Sequence, residues 1–299
     1  MKLRRLFYMN IFRFLRKVND IVQNSRTILA IHQDSKEVLL SLDKRSIREA
    51  LKQSIADAPT LKGFAVYSQN DEDGILEDIF NRLNIPRPSF LEFGVAPEEN
   101  NTNYLILKGS KGCWIDKGLT GLKNQLSNNT RLSIFDEYIT LENIVSLVEQ
   151  GCQFLSIPTK DLDLISLDLD GNDYYFIEKI VLSGVLPKVF CLEYNASFRP
   201  PMDIKIRYNE NHRWVGDDYF GCSLDAYCNL LSPNYTLVSC NIAGANCFFV
   251  RNDLDANFTK YTTEELYQPA RYHLSPTRKG HQPSFKYVLD YISDNPPGK

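Results

Sequence analysis

The residues best suited to chemistry are carboxylates that end short apolar runs. Asp168 and Asp170 flank Leu169 at the close of one such run, Asp173 follows, and Glu193 and Asn195 close the next. If residues 163–170 form a strand, Asp168 and Asp170 point to the same face, because side chains alternate along a strand. With Asp173, Glu193 and Asn195 they offer hard oxygen ligands for a divalent cation such as Mg²⁺, or one of them serves directly as a general base. A structural use is equally open: Asp168 or Asp170 caps the next helix while Asn172 and Asp173 shape its first turn. Glu92 and Gly94 end an earlier apolar run, and Asp116 ends another.

These acids meet only if their runs lie side by side. From residue 61 the chain alternates: helical spacing over 75–83, a strand at 89–95, a strand at 112–116, a helix at 119–126 and a strand at 132–138. A helix at 141–150, a buried strand at 163–170, a helix at 174–183 and a strand at 188–193 continue the pattern. Strands separated by helices of this length predict a parallel, doubly wound sheet. The β-rich runs 235–241 and 246–251, separated by Ile242, Ala243, Gly244 and Ala245, predict an antiparallel hairpin. The expected fold is therefore α/β and Rossmann-like: a doubly wound, mostly parallel sheet with a terminal antiparallel hairpin, preceded by an N-terminal helical stem. Ligands of such sheets bind beyond the carboxyl ends of the strands. Glu92, Gly94, Asp116, Asp168, Asp170, Glu193 and Asn195 gather there. Unpaired carboxylates are costly to bury, so an acidic rim points to function rather than packing.

Three segments follow: a basic helical stem at residues 1–60, the main domain at 61–255 and a C-terminal extension at 256–299 packing near the site. In residues 1–17, Lys2, Arg4, Arg5, Arg13, Arg16 and Lys17 interleave with leucines, isoleucine and aromatic residues, and no acid precedes Asp20. Such a helix suits the anionic inner face of a membrane, or packing on the protein itself. Ile21, Ile28, Ile31, Val38 and Leu42 fall on heptad-like positions, so 18–55 reads as a long helix or short homo-oligomerising coiled coil, interrupted by Asn24, Ser35 and Arg45. A net charge of −3 carries no electrostatic footprint for nucleic acid. Seven scattered cysteines without a CxxC pair suit a reducing compartment. No apolar run approaches the roughly 20 residues a membrane span needs. The expected location is cytoplasmic.

Several motifs recur in order: Tyr-Ser-Gln-Asn-Asp-Glu-Asp-Gly-Ile-Leu from Tyr67, Phe-Leu-Glu-Phe-Gly-Val from Phe90, Asn-Thr-Asn-Tyr from Asn101 and Gly-Cys-Trp-Ile-Asp from Gly112. Leu-Ile-Ser-Leu-Asp-Leu-Asp-Gly-Asn-Asp-Tyr from Leu164, Glu-Tyr-Asn-Ala-Ser-Phe from Glu193, Asp-Tyr-Phe-Gly-Cys-Ser-Leu from Asp218 and Gly-Ala-Asn-Cys-Phe-Phe-Val-Arg from Gly244 complete the set. Over residues 64–254 the chain resembles class I S-adenosylmethionine (SAM)-dependent methyltransferases of the FkbM-like group, associated with glycan and natural-product modification. The resemblance implies that Glu92 and Gly94 form the turn receiving the methionine end of SAM, with Thr102 in the same pocket. It implies that Asp116 accepts hydrogen bonds from the ribose and that Asp136 lies near the adenine. Gln69 and Asp71 would face this pocket, although Ser68 and Asp71 also read as a helix start. The chain departs from the group at residues 94–99, which hold one glycine, a proline and two acids. That loop must take a different path.

The implied reaction is O-methylation of a saccharide or related hydroxylated small molecule, as in surface-polysaccharide assembly, with Asp168, Asp170 and Glu193 as bases or Mg²⁺ ligands. Acceptor contacts are expected from Asn195 and from the 198–220 segment, where Arg199, Arg213, Trp214 and Tyr219 suit a sugar bearing phosphate or carboxylate. The same segment also reads as an ordinary surface loop. His281, between Gly280 and Pro283, is a candidate base or substrate contact, or a structural histidine. The rival reading is a non-catalytic SAM- or nucleotide-binding scaffold acting through its stem.

Overall fold

The computed structural model describes residue 17 and residues 22–27, 35–36, 38–275 and 284–294. The chain divides into two compact units, residues 1–47 and 48–299. In the first, every described residue is helical. Val38 and Leu42 of the heptad-like series are exposed, whereas Ile21, Ile28 and Ile31 lie outside the described residues, as does the basic segment apart from Lys17. No helix among the described residues is long and apolar enough to cross a membrane.

Residues 48–60, read above with the stem, pack within the second unit. Ile55 and Ala58 are buried in its core, and the Thr60 hydroxyl bonds Ser239 Oγ at 2.8 Å and the Cys240 carbonyl at 2.9 Å. The unit is built on seven strands: β1 (Ser89–Phe93), β2 (Lys111–Asp116), β3 (Leu132–Asp136), β4 (Leu164–Leu167), β5 (Val189–Glu193), β6 (Tyr235–Cys240) and β7 (Asn246–Arg251). Their order is β3-β2-β1-β4-β5-β7-β6. All neighbours pair in parallel except around β7, which runs antiparallel between β5 and β6. The expected hairpin is present, but its second strand inserts beside β5 and leaves β6 at the edge.

Two-residue alternation builds two cores. Leu91, Phe93, Ile115, Leu167 and Leu192 face one layer, with α4 (Ile144–Leu155), α5 (Asp173–Leu182) and α6 (Leu224–Leu231). Phe90, Trp114, Leu164 and Val189 face the other, with α1 (Glu72–Arg82), α2 (Asn103–Leu107) and α8 (Lys286–Asp294). The short helices α3 (Thr120–Gln125) and α7 (Thr263–Leu266) complete the unit. Strands buried on both faces read as near-continuous apolar runs, which is why they were visible in the sequence. All seven cysteines are free thiols.

The chain direction reverses its spread at β1 and β4, whose neighbours step outward in opposite directions. Their tips meet closely. Gly94 has φ +83°, and a Cβ there would stand 1.7 Å from the Asp168 carbonyl oxygen. Gly94→Ala is therefore expected to combine backbone strain with a clash against main chain, costing about 3 kcal/mol or more. For a unit of this size that is a fall of roughly 6–12 °C in melting temperature, read by thermal denaturation. An unchanged melt would contradict the close approach.

Candidate active site

The switch between β1 and β4 opens a cleft of about 740 Å³, within the range of small-molecule sites. Its lining includes Glu72, Glu92, Glu99, Asp116, Asp168, Asp170 and Glu193, and among the described lining residues there is no lysine, arginine or histidine.

Strand register explains the central pair. Leu167 of β4 lies opposite Leu192 of β5, so Asp168 and Glu193, one residue further on each strand, are neighbours. Together with Asp170 they bring carboxylate oxygens within 4.8 Å of one another, Asp168 and Glu193 half-buried and Asp170 exposed. Burial, then the charge of neighbouring acids, pushes the Asp168 and Glu193 carboxyls upward, and a hydrogen bond joins the two. Glu193 Oε2 is buried and has no hydrogen-bond partner.

The expected strand geometry of Asp168 and Asp170 is corrected. β4 ends at Leu167, and Asp170 reaches the cluster through a left-handed residue, φ 53°, rather than by alternation. The cause is Asp173, whose carboxylate accepts from Leu169 N and Gly171 N, both at 2.8 Å, and folds the backbone into a turn. The turn-shaping role thus belongs to Asp173. Asn172 instead ties the turn to residue 209 through two hydrogen bonds.

Glu92 organises the other side. It is 2% exposed, and its carboxylate accepts from Asn101 N at 2.8 Å and from the Thr102 hydroxyl. Burial raises it to about 7, against which those two donors work, while the charge of Asp73 adds to the rise. Thr102 itself is fully buried behind Glu92 and takes a bond from Trp114 Nε1 at 2.9 Å, so it supports the cleft rather than lining it. The loop beyond Gly94 is tied down from within: Val95 N donates to Asp116 Oδ2 at 2.8 Å, and Ala96 N donates to Asn100 Oδ1 at 2.9 Å. Asp116 also accepts from Lys117 N at 2.6 Å. Each carboxylate oxygen has two lone pairs, so Asp116 retains acceptor capacity toward the cleft it lines.

Other expected positions go elsewhere. Gln69 lines the cleft, but Asp71 is outside its lining and pairs with Arg48 at 2.7 Å. The helix start is made by Ser68 with Asp73 instead: Ser68 Oγ accepts from Asp73 N at 3.2 Å, and the Asp73 carboxylate accepts from the amides of residues 66–68. Asp136 accepts from Gly118 N at 2.8 Å and from the Thr120 hydroxyl, which with the nearby Lys117 hold it at about 2; it anchors the start of α3 and does not line the cleft. Asn195 is buried, its amide given to the carbonyls of Asp218 and Phe220. Arg199 stands 5.9 Å over the Tyr267 ring and Tyr219 accepts from Arg207 N at 3.2 Å, both outside the lining. Arg213 lies 5.0 Å from the Tyr138 ring and borders a neighbouring cavity of about 170 Å³, which shares Asp116 and Leu169 with the main cleft. Of the predicted acceptor contacts only Trp214 lines the main cleft. His281 lies outside the described residues.

The sequence reading missed Asn70, Glu72, Asn100, Asn101, Asn246, Tyr272 and Ser275, all in the lining. A run of polar residues separated from a buried strand by four others, Glu98 to Asn101, was the available signal.

No protein-family model matches this chain, and no curated protein matches it. Among solved structures it is similar to spermidine synthase from Thermotoga maritima, at 14% identity over 76% of each chain, with a TM-score of 0.34. That likeness is too slight to carry an argument; the Rossmann-like architecture rests on the strand order itself.

Glu92 is expected to leave a pH signature. An acid raised from 4.5 to about 7 keeps its proton in the folded state where the unfolded chain has released it. The proton-linked cost of its burial is therefore absent below about pH 4.5, and stability falls as pH rises toward 7 and then levels. Glu92→Gln is expected to remove that fall, so the stability of the variant relative to the parent should rise by about 3 kcal/mol between pH 4 and 8, measured by urea denaturation. A difference independent of pH would contradict the assignment.

Proposed function

We propose that this protein is a SAM-dependent methyltransferase that methylates a hydroxyl of a saccharide or related small molecule, as the resemblance to the FkbM-like group implies. The observation that carries the reading is an acidic cleft at the switch point of a Rossmann-like sheet, with its β1 loop amides turned inward. Dinucleotide sites in such folds offer free loop amides to a pyrophosphate. Here Val95 N and Ala96 N are already bonded, and the described lining holds seven carboxylates without a basic side chain. An adenosyl cofactor without phosphates and with a positive charge suits this surface. Asp116 at the tip of β2 would accept the ribose hydroxyls.

Held in this cleft, with Asp116 toward its ribose, SAM would supply an activated methyl on a sulfonium sulfur for transfer to the acceptor oxygen. Asp168 and Glu193 supply the remaining need. Burial and mutual charge make both carboxyls hold protons more tightly than usual, so the pair would take the proton of the acceptor hydroxyl through whichever carboxyl is ionised. The set Asp168, Asp170 and Glu193 also fits a hard divalent cation such as Mg²⁺, which would polarise that hydroxyl. The acidic lining favours acceptors without phosphate or carboxylate, contrary to the anionic sugar suggested by Arg199 and Arg213. As the resemblance to the FkbM-like group implies, the acceptor would be a sugar of surface-polysaccharide assembly.

Asp168→Asn and Glu193→Gln, assayed with methyl-labelled SAM and a panel of neutral and amino sugars, are expected to lower turnover by about 10²- to 10⁴-fold while SAM binding persists. Full activity in both variants would overturn the catalytic assignment.

A further inference from the structure

We propose that the acceptor is an amino sugar whose protonated amine is held against the aromatic rings of Trp214 and Tyr272, on the Asp170 and Glu193 side of the cleft. The inference rests on the methyl-transfer reading above and narrows its substrate class. Trp214 and Tyr272 both line the cleft, and each stays about half exposed, at 48% and 50%. Large aromatic side chains left open in the wall of a concave site are binding surface rather than packing. The Trp214 indole Nε1 donates to the Asp217 carbonyl at 2.7 Å, and the ring meets Phe220 edge-on at 6.2 Å. Its polar edge is thus committed to its own loop. What remains for a ligand is apolar surface and π electrons.

Backbone ties carry this ring to the acidic cluster. Gly221 N donates to the Gly171 carbonyl at 3.0 Å, which sets Phe220 beside the turn that holds Asp170. Tyr272 stands near Glu193: burial, and then the charge of that carboxylate, push its phenol up to about 12. Aromatic faces and carboxylates have one kind of ligand in common, a cation, drawn by the ring quadrupole and by negative charge alike. The cofactor does not use up that charge. Even with Glu92 and one of the Asp168–Glu193 pair protonated, the remaining carboxylates of the described lining outnumber the net charge of SAM and of a divalent cation together, and no basic side chain offsets them. An ammonium on the acceptor balances the excess, whereas an N-acetyl or hydroxyl group on the same carbon does not. The carbon face of the sugar ring suits the same aromatic surface, because contact removes apolar area from water on both sides.

Initial rates of methyl transfer from labelled SAM test this on the full chain at about pH 7 with Mg²⁺ present. Glucosamine, galactosamine and mannosamine are each set against their N-acetyl counterparts. At least one amine is expected to exceed its counterpart by about tenfold or more in kcat/KM. Trp214→Leu is expected to raise KM for that amine by about fivefold, with kcat and the calorimetric affinity for SAM unchanged, and Trp214→Phe, which keeps a ring, to recover most of the loss. Neither variant touches the carboxylates, so loss of a bound cation does not imitate the result. Equal rates on every amine and its counterpart, transfer to no sugar while SAM binds, or a Trp214→Leu protein that matches the parent would overturn the inference and leave the cofactor reading intact. A parent that binds no SAM would overturn both. The preference for amines is read in the parent alone, so the test stands even if a variant fails to fold.

Discussion

The hydrogen bonds to the Glu92 carboxylate are the interaction on which the cleft depends. A carboxylate in the middle of a buried strand is tolerable only with donors aimed at it. Those donors, Asn101 N and the Thr102 hydroxyl, come from the very segment that follows the β1 loop. Holding them also holds the loop from Gly94 to Asn100 over the sheet, and Trp114 Nε1 locks Thr102 from the neighbouring strand. Asn101 extends the same polar row across the sheet to Ser166 and Cys191. The loop departs from a glycine-rich turn because side chains, rather than backbone flexibility, set its path.

The second constraint is register. Pairing Leu167 with Leu192 leaves Asp168 and Glu193 no choice but to be neighbours at the strand tips. Like charges opposite one another on a sheet are unfavourable, and both carboxyls respond by holding protons more tightly. A packing explanation would provide a basic partner, and among the described residues lining the cleft none is present. On the proposed function, that strain is available to a cation or to the proton of an acceptor hydroxyl. Asp173 makes this possible by taking over the backbone amides of the turn.

Much of this was legible in the sequence. Strands buried on both faces show as apolar runs, and the acids at their ends mark the rim, so β1 to β5 and the cluster Asp168, Asp170 and Glu193 could be read directly. Which acids face the cleft could not be read, since Asp71 and Asp136 carry the same local signals as Asp116. Their partners, Arg48 for Asp71 and the Thr120 turn for Asp136, are set by tertiary placement or by a helix start too short to show a period. Asn195 was misread for a related reason: a side-chain amide after a strand can serve a ligand or two carbonyls, and only the path of residues 218–220 decides. Helix α2, five residues long, has no periodicity to detect, and the polar run leading into it concealed Asn100. The placement of β7 inside β6 is a matter of connection, invisible to local pattern.

The proposed function requires that an adenosyl cofactor bind at the β1–β4 switch, with Asp116 accepting from its ribose. Calorimetric titration of the protein and of its Asp116→Ala variant with S-adenosylhomocysteine measures that directly. Saturable one-to-one binding that weakens by about tenfold or more in the variant is the expected result. Absence of binding in the parent, or equal affinity in the two proteins, would contradict it.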